Sequence, residues 1–106
     1  GGGPQNLNAM MRQAQKMQED MEAKQQELQA REYDISAGGG AVKLKINGKK
    51  ELLSLEISPD IVDADDVETL TDILIAAFNE AVKTVENDGA DEMSKITGSL
   101  NIPGLF

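Results

Sequence analysis

Lys43, Lys45, Lys49 and Lys50 crowd one stretch in which Glu51 is the only acidic neighbour. Ammonium groups clustered in this way can contact phosphate oxygens and displace the counterions a nucleic acid carries. Gly38-Gly39-Gly40 invites a second phosphate reading, since glycine-rich loops cradle phosphates. That cradle needs a strand–loop–helix setting and usually a GK[ST] ending. Here Ala41-Val42 follows, so a turn is the better reading. The carboxylates of Asp60, Asp63, Asp65, Asp66 and Glu68 could hold Ca²⁺ or Mg²⁺. They lack the Asp-x-Asp-x-Asp-Gly spacing and the closing Glu of a calcium loop, and helix capping accounts for most of them.

The rest of the catalytic inventory is thin. With His 0 and Cys 0, imidazole bases, thiol nucleophiles, disulfides and Cys-ligated zinc are excluded together. Acid–base carboxylate pairs need one member raised by burial, and every Asp and Glu is expected at an exposed position or a helix start. The chain therefore reads as no enzyme, with no cofactor and no metal.

Composition bounds the remainder. The 106 residues suit one domain with a modest core. Aromatics are 3%, so the core must be aliphatic. Nineteen acidic against ten basic residues leave a net charge of −9, which argues against strong general attraction to phosphate backbones. The longest apolar run, Ile73–Phe78, is far shorter than the ~20 residues that cross a bilayer. No leader pattern opens the chain, and the expectation is a cytoplasmic protein with no membrane contact.

The elements that would position these groups follow from spacing. Residues 1–5 are set apart as a flexible segment whose glycines allow an origin outside the native gene. From Asn6 to Glu32 no Gly or Pro intervenes, and Leu7, Met10, Ala14, Met17, Met21 and Leu28 recur in steps of three and four, with Lys24 at the seam position that lacks an apolar residue. The Met series could be an adaptable binding surface, but a packed seam is the better reading. A helix of that length spans about 40 Å, more than the roughly 34 Å of a compact domain of this size. It must overhang, and its apolar stripe then calls for a second chain: a homodimer, with Leu7, Met10, Met17, Met21 and Leu28 as interface candidates.

A short strand, Tyr33–Ala37, precedes the glycines. Val42, Leu44 and Ile46 alternate with Lys43 and Lys45 as a half-buried strand does. Asn47-Gly48 predicts a type I′ hairpin turn with positive φ at both residues. The return strand then runs Lys49–Ile57, with Ile46 opposite Lys49 and Val42 opposite Leu53. Leu53, Leu55 and Ile57 would share the face of Val42 and Leu44. Pro59 ends the strand, and a single turn is expected at Asp60-Ile61-Val62. Asp63 or Asp65 would cap a second long helix with a stripe of Val67, Leu70, Leu74, Ala77, Phe78, Ala81 and Val85. Gly89 is a candidate kink and Gly98 the end. The fold class is α+β, in the order helix, three-stranded antiparallel meander, helix: a single dimerising domain over residues 6–98. The tail 99–106 would dock on the body through Leu100, Ile102, Leu105 and Phe106.

Gln13-Ala14-Gln15-Lys16-Met17-Gln18 on the first helix resembles the YbaB/EbfC family of small bacterial nucleoid-associated proteins. Gly38–Gly40, Val42, Ile46-Asn47-Gly48 and Ile57 with Pro59 fall in that family's order, as do Ala76-Ala77-Phe78-Asn79-Glu80-Ala81 and Pro103-Gly104-Leu105-Phe106. The resemblance covers about residues 5–106. It implies a tight homodimer whose helical arms grip duplex DNA, little base readout, and a place in the bacterial nucleoid with a role in its organisation or in gene regulation. Under it, Arg12 and Lys16 are the foremost DNA-contact candidates. Lys24 and Arg31 follow on the same helix, Lys43, Lys45, Lys49 and Lys50 on the hairpin, and Lys83 and Lys95 on the second helix. A module whose Met- and Gln-rich arm binds another polypeptide is the alternative.

Overall fold

In the computed structural model, residues 3–98 are described. Helix α1 spans Gly3–Ala30, strand β1 Glu32–Ala37, β2 Val42–Asn47, β3 Leu52–Ile57 and helix α2 Val67–Gly98. The strands form one antiparallel sheet in the order β1-β2-β3, as the spacing predicted. The expected docking of the tail 99–106 lies outside the described residues.

α1 begins at Gly3 instead of Asn6. Pro4 falls in the first turn, where a missing N–H costs no helical bond. At 1.5 Å per residue its 28 residues extend about 42 Å. The molecule measures 79 × 24 × 15 Å with a radius of gyration of 21.3 Å, against about 13 Å for a compact chain of this size. The helix does overhang. Every residue from Asn6 to Lys16 is exposed.

The core is small and lies under α2. Ile35 of β1, Val42, Leu44 and Ile46 of β2, and Ala77, Ala81 and Val85 of α2 pack together, flanked by Tyr33, Ala37, Ile57, Ile61, Ile73 and Leu74. Small Ala77 and Ala81 let the helix backbone approach the sheet. α2 lies over β1 and β2 and leaves β3 largely uncovered. Of the expected stripe, Val67 and Phe78 point outward instead.

The hairpin differs from its expected form. The only non-glycine positive φ among the described residues is at Lys50 (64°), and Gly48 is not in that region. Gly48, Lys49 and Lys50 form a three-residue loop closed by the Asn47 N–H on the Glu51 carbonyl at 3.1 Å. The Asn47 side chain holds it by accepting the Lys49 and Glu51 N–H groups at 2.9 and 3.0 Å. An irregularity between Lys45 and Ile46 then leaves Leu53 without an opposite residue. Ile46 pairs with Leu52, Leu44 with Leu55 and Val42 with Ile57. Val42 thus meets Ile57 rather than Leu53, a shift of an even number of residues. An even shift preserves the face, so Leu55 and Ile57 still lie on the side of Val42 and Leu44.

Gly38, Gly39 and Gly40 all have positive φ (62°, 67° and 94°), which explains three glycines in a row between antiparallel strands. After a single 3₁₀ turn at Pro59–Ile61, the cap of α2 is Asp66 rather than Asp63 or Asp65. Its carboxylate accepts the Thr69 N–H at 3.2 Å and the Thr69 hydroxyl at 2.7 Å. Asp63 braces the approach by accepting the Asp65 N–H at 2.9 Å. α2 runs unbroken through Gly89.

Candidate nucleic-acid interface

The ten candidate cations fall into two groups. Five are ion-paired within the chain. Lys45 meets Glu32 at 3.6 Å and Lys50 meets Glu86 at 2.8 Å. Lys95 holds Glu92 at 3.3 Å, one turn away on α2. Lys24 sits between Glu27 at 3.3 Å and Glu92 at 3.4 Å. Arg31 grips Glu27 through Nε (2.8 Å) and Nη2 (2.6 Å) and sends Nη1 to Asp88 at 2.9 Å. These groups partly satisfy one another and leave little positive field for a phosphate.

The pairing is visible in the titration of its members. Hydrogen bonds from Arg31, then Lys24, hold Glu27 below the usual carboxylate range. The Tyr33 hydroxyl, donating to Asp88 at 2.5 Å, does the same for Asp88, assisted by Arg31. Partial burial and that same carboxylate push Tyr33 up to about 12. Lys24 is raised by Glu27 and Glu92 in turn.

The other five, Arg12, Lys16, Lys43, Lys49 and Lys83, are exposed and make no ion pair among the described residues. Lys43 lies on the outer face of the sheet, where its paired neighbours are Ser36 and Glu56. A shallow depression runs across that face beside Asp34, Lys45 and Ser54. Acidic neighbours therefore dilute the hairpin cluster, and the structure does not bring its four lysines together as one free patch.

Arg12 and Lys16 stand differently. They are four residues apart on the projecting half of α1, hence on one face. No Asp or Glu occurs before Glu19, so the arm's outer half is net positive in a chain of net charge −9. Asn6, Asn8, Gln13, Gln15 and Gln18 add amide donors along it. That acid-free run was open to reading in the sequence, but averaging charge over the whole chain hides it. Cations and side-chain amides are the groups that hydrogen-bond phosphate oxygens.

Comparison with known proteins shows the family of the chain. Residues 3–100 match the model of the YbaB/EbfC DNA-binding family. The chain belongs to the YbaB/EbfC family. A nucleoid-associated protein of Clostridium novyi is 56% identical over 105 residues, covering 99% of this chain and 92% of that protein. One of Thermoanaerobacter pseudethanolicus is 55% identical over 101 residues, covering 95% and 91%. The crystal structure of an uncharacterized Helicobacter pylori protein superposes with a TM-score of 0.60 at 24% identity, covering 74% of this chain and 90% of that one, which supports the α-β-β-β-α fold.

The seam residues proposed for a dimer divide in this YbaB/EbfC chain. Leu28 is buried within the chain itself, and Met17 and Met21 are half-buried. Leu7 and Met10 are about 60% exposed. Sequence spacing missed a second apolar surface. β3 exposes Leu52, Leu53 and Leu55, and α2 exposes Ile75, Phe78 and Val82 at helical spacing. Leu55 lies opposite buried Leu44, so it faces the side of the sheet that α2 covers only over β1 and β2. Among the described residues of this chain, no helix is long and apolar enough to cross a membrane.

Proposed function

We propose that the chain acts as a homodimer that grips duplex DNA with two α1 arms and reads little base sequence, as a nucleoid protein of the bacterial cytoplasm. The unpaired Arg12–Lys16 pair on the acid-free half of α1 carries this reading. Lys43, Lys49 and Lys83 are secondary contacts. Lys24, Arg31, Lys45, Lys50 and Lys95 contribute less, because each would first have to leave an acidic neighbour.

The dimer supplies the second arm. Uncovered β3 and the Ile75–Phe78–Val82 stripe of α2 are the surface most in need of a second copy, because exposed apolar area of this kind is removed from water by association. Leu7 and Met10 on the arm remain open to the same partner or to DNA-bound neighbours. The dimer's charge would be −18, twice −9, so binding rests on local arm charge and shape and weakens steeply with salt.

The test is duplex binding by fluorescence anisotropy at low salt, using R12E/K16E beside the unsubstituted protein. A rise in Kd of at least about tenfold on random-sequence DNA is expected, with unchanged helical circular dichroism. Unchanged affinity would overturn the assignment. The exposed Leu7, Met10 and Met11 favour a second reading, in which the arm holds another polypeptide. It would be supported by stoichiometric capture of a protein through that arm, lost in M10E/M11E, in the absence of DNA binding.

A further inference from the structure

The helix that carries the arm is weakly joined to the core. Among the described residues of α1 only Leu28 is buried, and it lies outside the main apolar cluster of β1, β2 and α2. Between the last residue of α1, Ala30, and the first of β1, Glu32, there is only Arg31. The backbone can therefore pivot at one residue, with a lever of about 42 Å beyond it.

At that pivot lies the densest polar network of the described structure. Arg31 presents Nη1 to Asp88 at 2.9 Å and to Glu92 at 3.5 Å. Lys24 reaches Glu92 at 3.4 Å. Lys24 thus ties α1 directly to α2, and Arg31, at the joint, links Glu27 of α1 to the two α2 carboxylates. Tyr33 of β1 donates to the same Asp88 oxygen that Arg31 holds, tying the sheet to the same point. Glu27 on α1 and Lys95 on α2 complete the set. Lys24, Arg31 and Lys95 balance Glu27, Asp88 and Glu92, so the network is neutral. Its two α2 carboxylates are not fully wet: the side chain of Glu92 is 17% exposed and that of Asp88 30%.

We infer that Asp88 and Glu92 are positioning residues that set the direction of the α1 arm through Arg31 and Lys24, as an ionic latch sensitive to salt. Any swing of α1 away from α2 must break the Lys24–Glu92 pair, and either the Glu27–Arg31 bonds or those from Arg31 to Asp88 and Glu92. Arg12 lies about 29 Å from the pivot, so a swing of 10° displaces it by about 5 Å. Added salt screens partly exposed pairs, with the Debye length falling from about 10 Å at 0.1 M to 3 Å at 1 M. The inference needs no assumption about DNA and is tested without it.

The chain contains no Cys, so two spin labels can be placed at will. Q13C on the arm and S54C on β3 are both at exposed positions. Labelled chains diluted into excess unlabelled protein report the distance within one protomer by double electron–electron resonance. One narrow distance is expected at low salt. D88N/E92Q should shift or broaden it by about 5 Å with helical circular dichroism retained. D88E, which keeps the carboxylate, should restore the narrow distribution when compared with D88N. If D88N/E92Q does not fold, the label pair in otherwise unsubstituted protein is titrated from 0.05 to 1 M salt, where the same broadening is expected. A narrow, unmoved distance in the folded double variant, or across the salt series, would overturn the latch and assign the arm's direction to the apolar and backbone contacts at the base of α1.

Discussion

Gly48, at the tip of the β2–β3 hairpin, lies against the carbonyl of Leu28 at the end of α1. A Cβ on Gly48 would stand 1.7 Å from that oxygen and 2.6 Å from its carbon. The Gly48 N–H also donates to the Arg31 carbonyl at 3.0 Å, satisfying an acceptor just past the helix end. The hairpin thus seats itself against the base of the arm. Glycine is required there for close approach, not for a left-handed backbone.

G48A should accordingly be severe. The contact is backbone on backbone, so no side chain can rotate away, and the hairpin must move. The expected cost is about 3 kcal/mol or more, near the upper end for overpacked sites, with Tm lowered by at least about 10 °C. Thermal unfolding followed by circular dichroism checks it. G89A is the control: a Cβ there meets nothing within 4 Å in mid-helix, and Tm should hold or rise.

Tyr33 is the single tyrosine, so its ionisation can be followed alone by absorbance near 295 nm. The midpoint should lie near 12 in the folded protein and near 10 in denaturant. The raised value means that the stabilisation is complete below pH 10 and is lost as pH climbs towards 12. In D88N the midpoint should fall, because the carboxylate that repels the phenolate is gone.

Acid acts on the other side of the same network. Glu27, Asp88 and Glu92 all have lowered pKa values. Their stabilisation is present above the ordinary carboxylate range of about 4 and is lost as pH falls through the lower folded values. Denaturant midpoints between pH 7 and pH 3 should decline chiefly below pH 4, and the decline should flatten in D88N/E92Q.

L55E/F78E tests the proposed pairing surface. Both side chains are about 40% exposed in the single chain, and helical circular dichroism checks that the variant stays folded. Light scattering should give twice the 11.4 kDa chain mass for the unsubstituted protein and a single chain mass for the variant. A monomeric unsubstituted protein, or a variant that still dimerises, would count against this surface.

The sequence showed what depends on periodicity and hid what depends on contact across the chain. Val42, Leu44 and Ile46 alternate because one face of β2 is buried, and that pattern is local. The hairpin register was not legible, because it rests on the Asn47 side chain bracing a three-residue loop and on the extra residue Leu53. Gly48 looked like a turn glycine, since nothing near it in sequence announces the Leu28 carbonyl. Several aspartates could have capped α2, and Thr69 selects Asp66. All ten cations could be named, but Arg31 finds Asp88 57 positions later, and only the fold separates such paired groups from free Arg12 and Lys16.

The most direct measurement is the affinity for a labelled random-sequence duplex across a salt series. In the proposed dimer, two arms, each contributing Arg12 and Lys16, would make four phosphate contacts and supply about −3.6 of the slope of log K against log[salt], to which the secondary lysines add. Saturable binding with a slope at least this steep, reduced in R12E/K16E, is the expected result. No binding at low salt, or a slope indifferent to both substitutions, would contradict DNA gripping by the α1 arms.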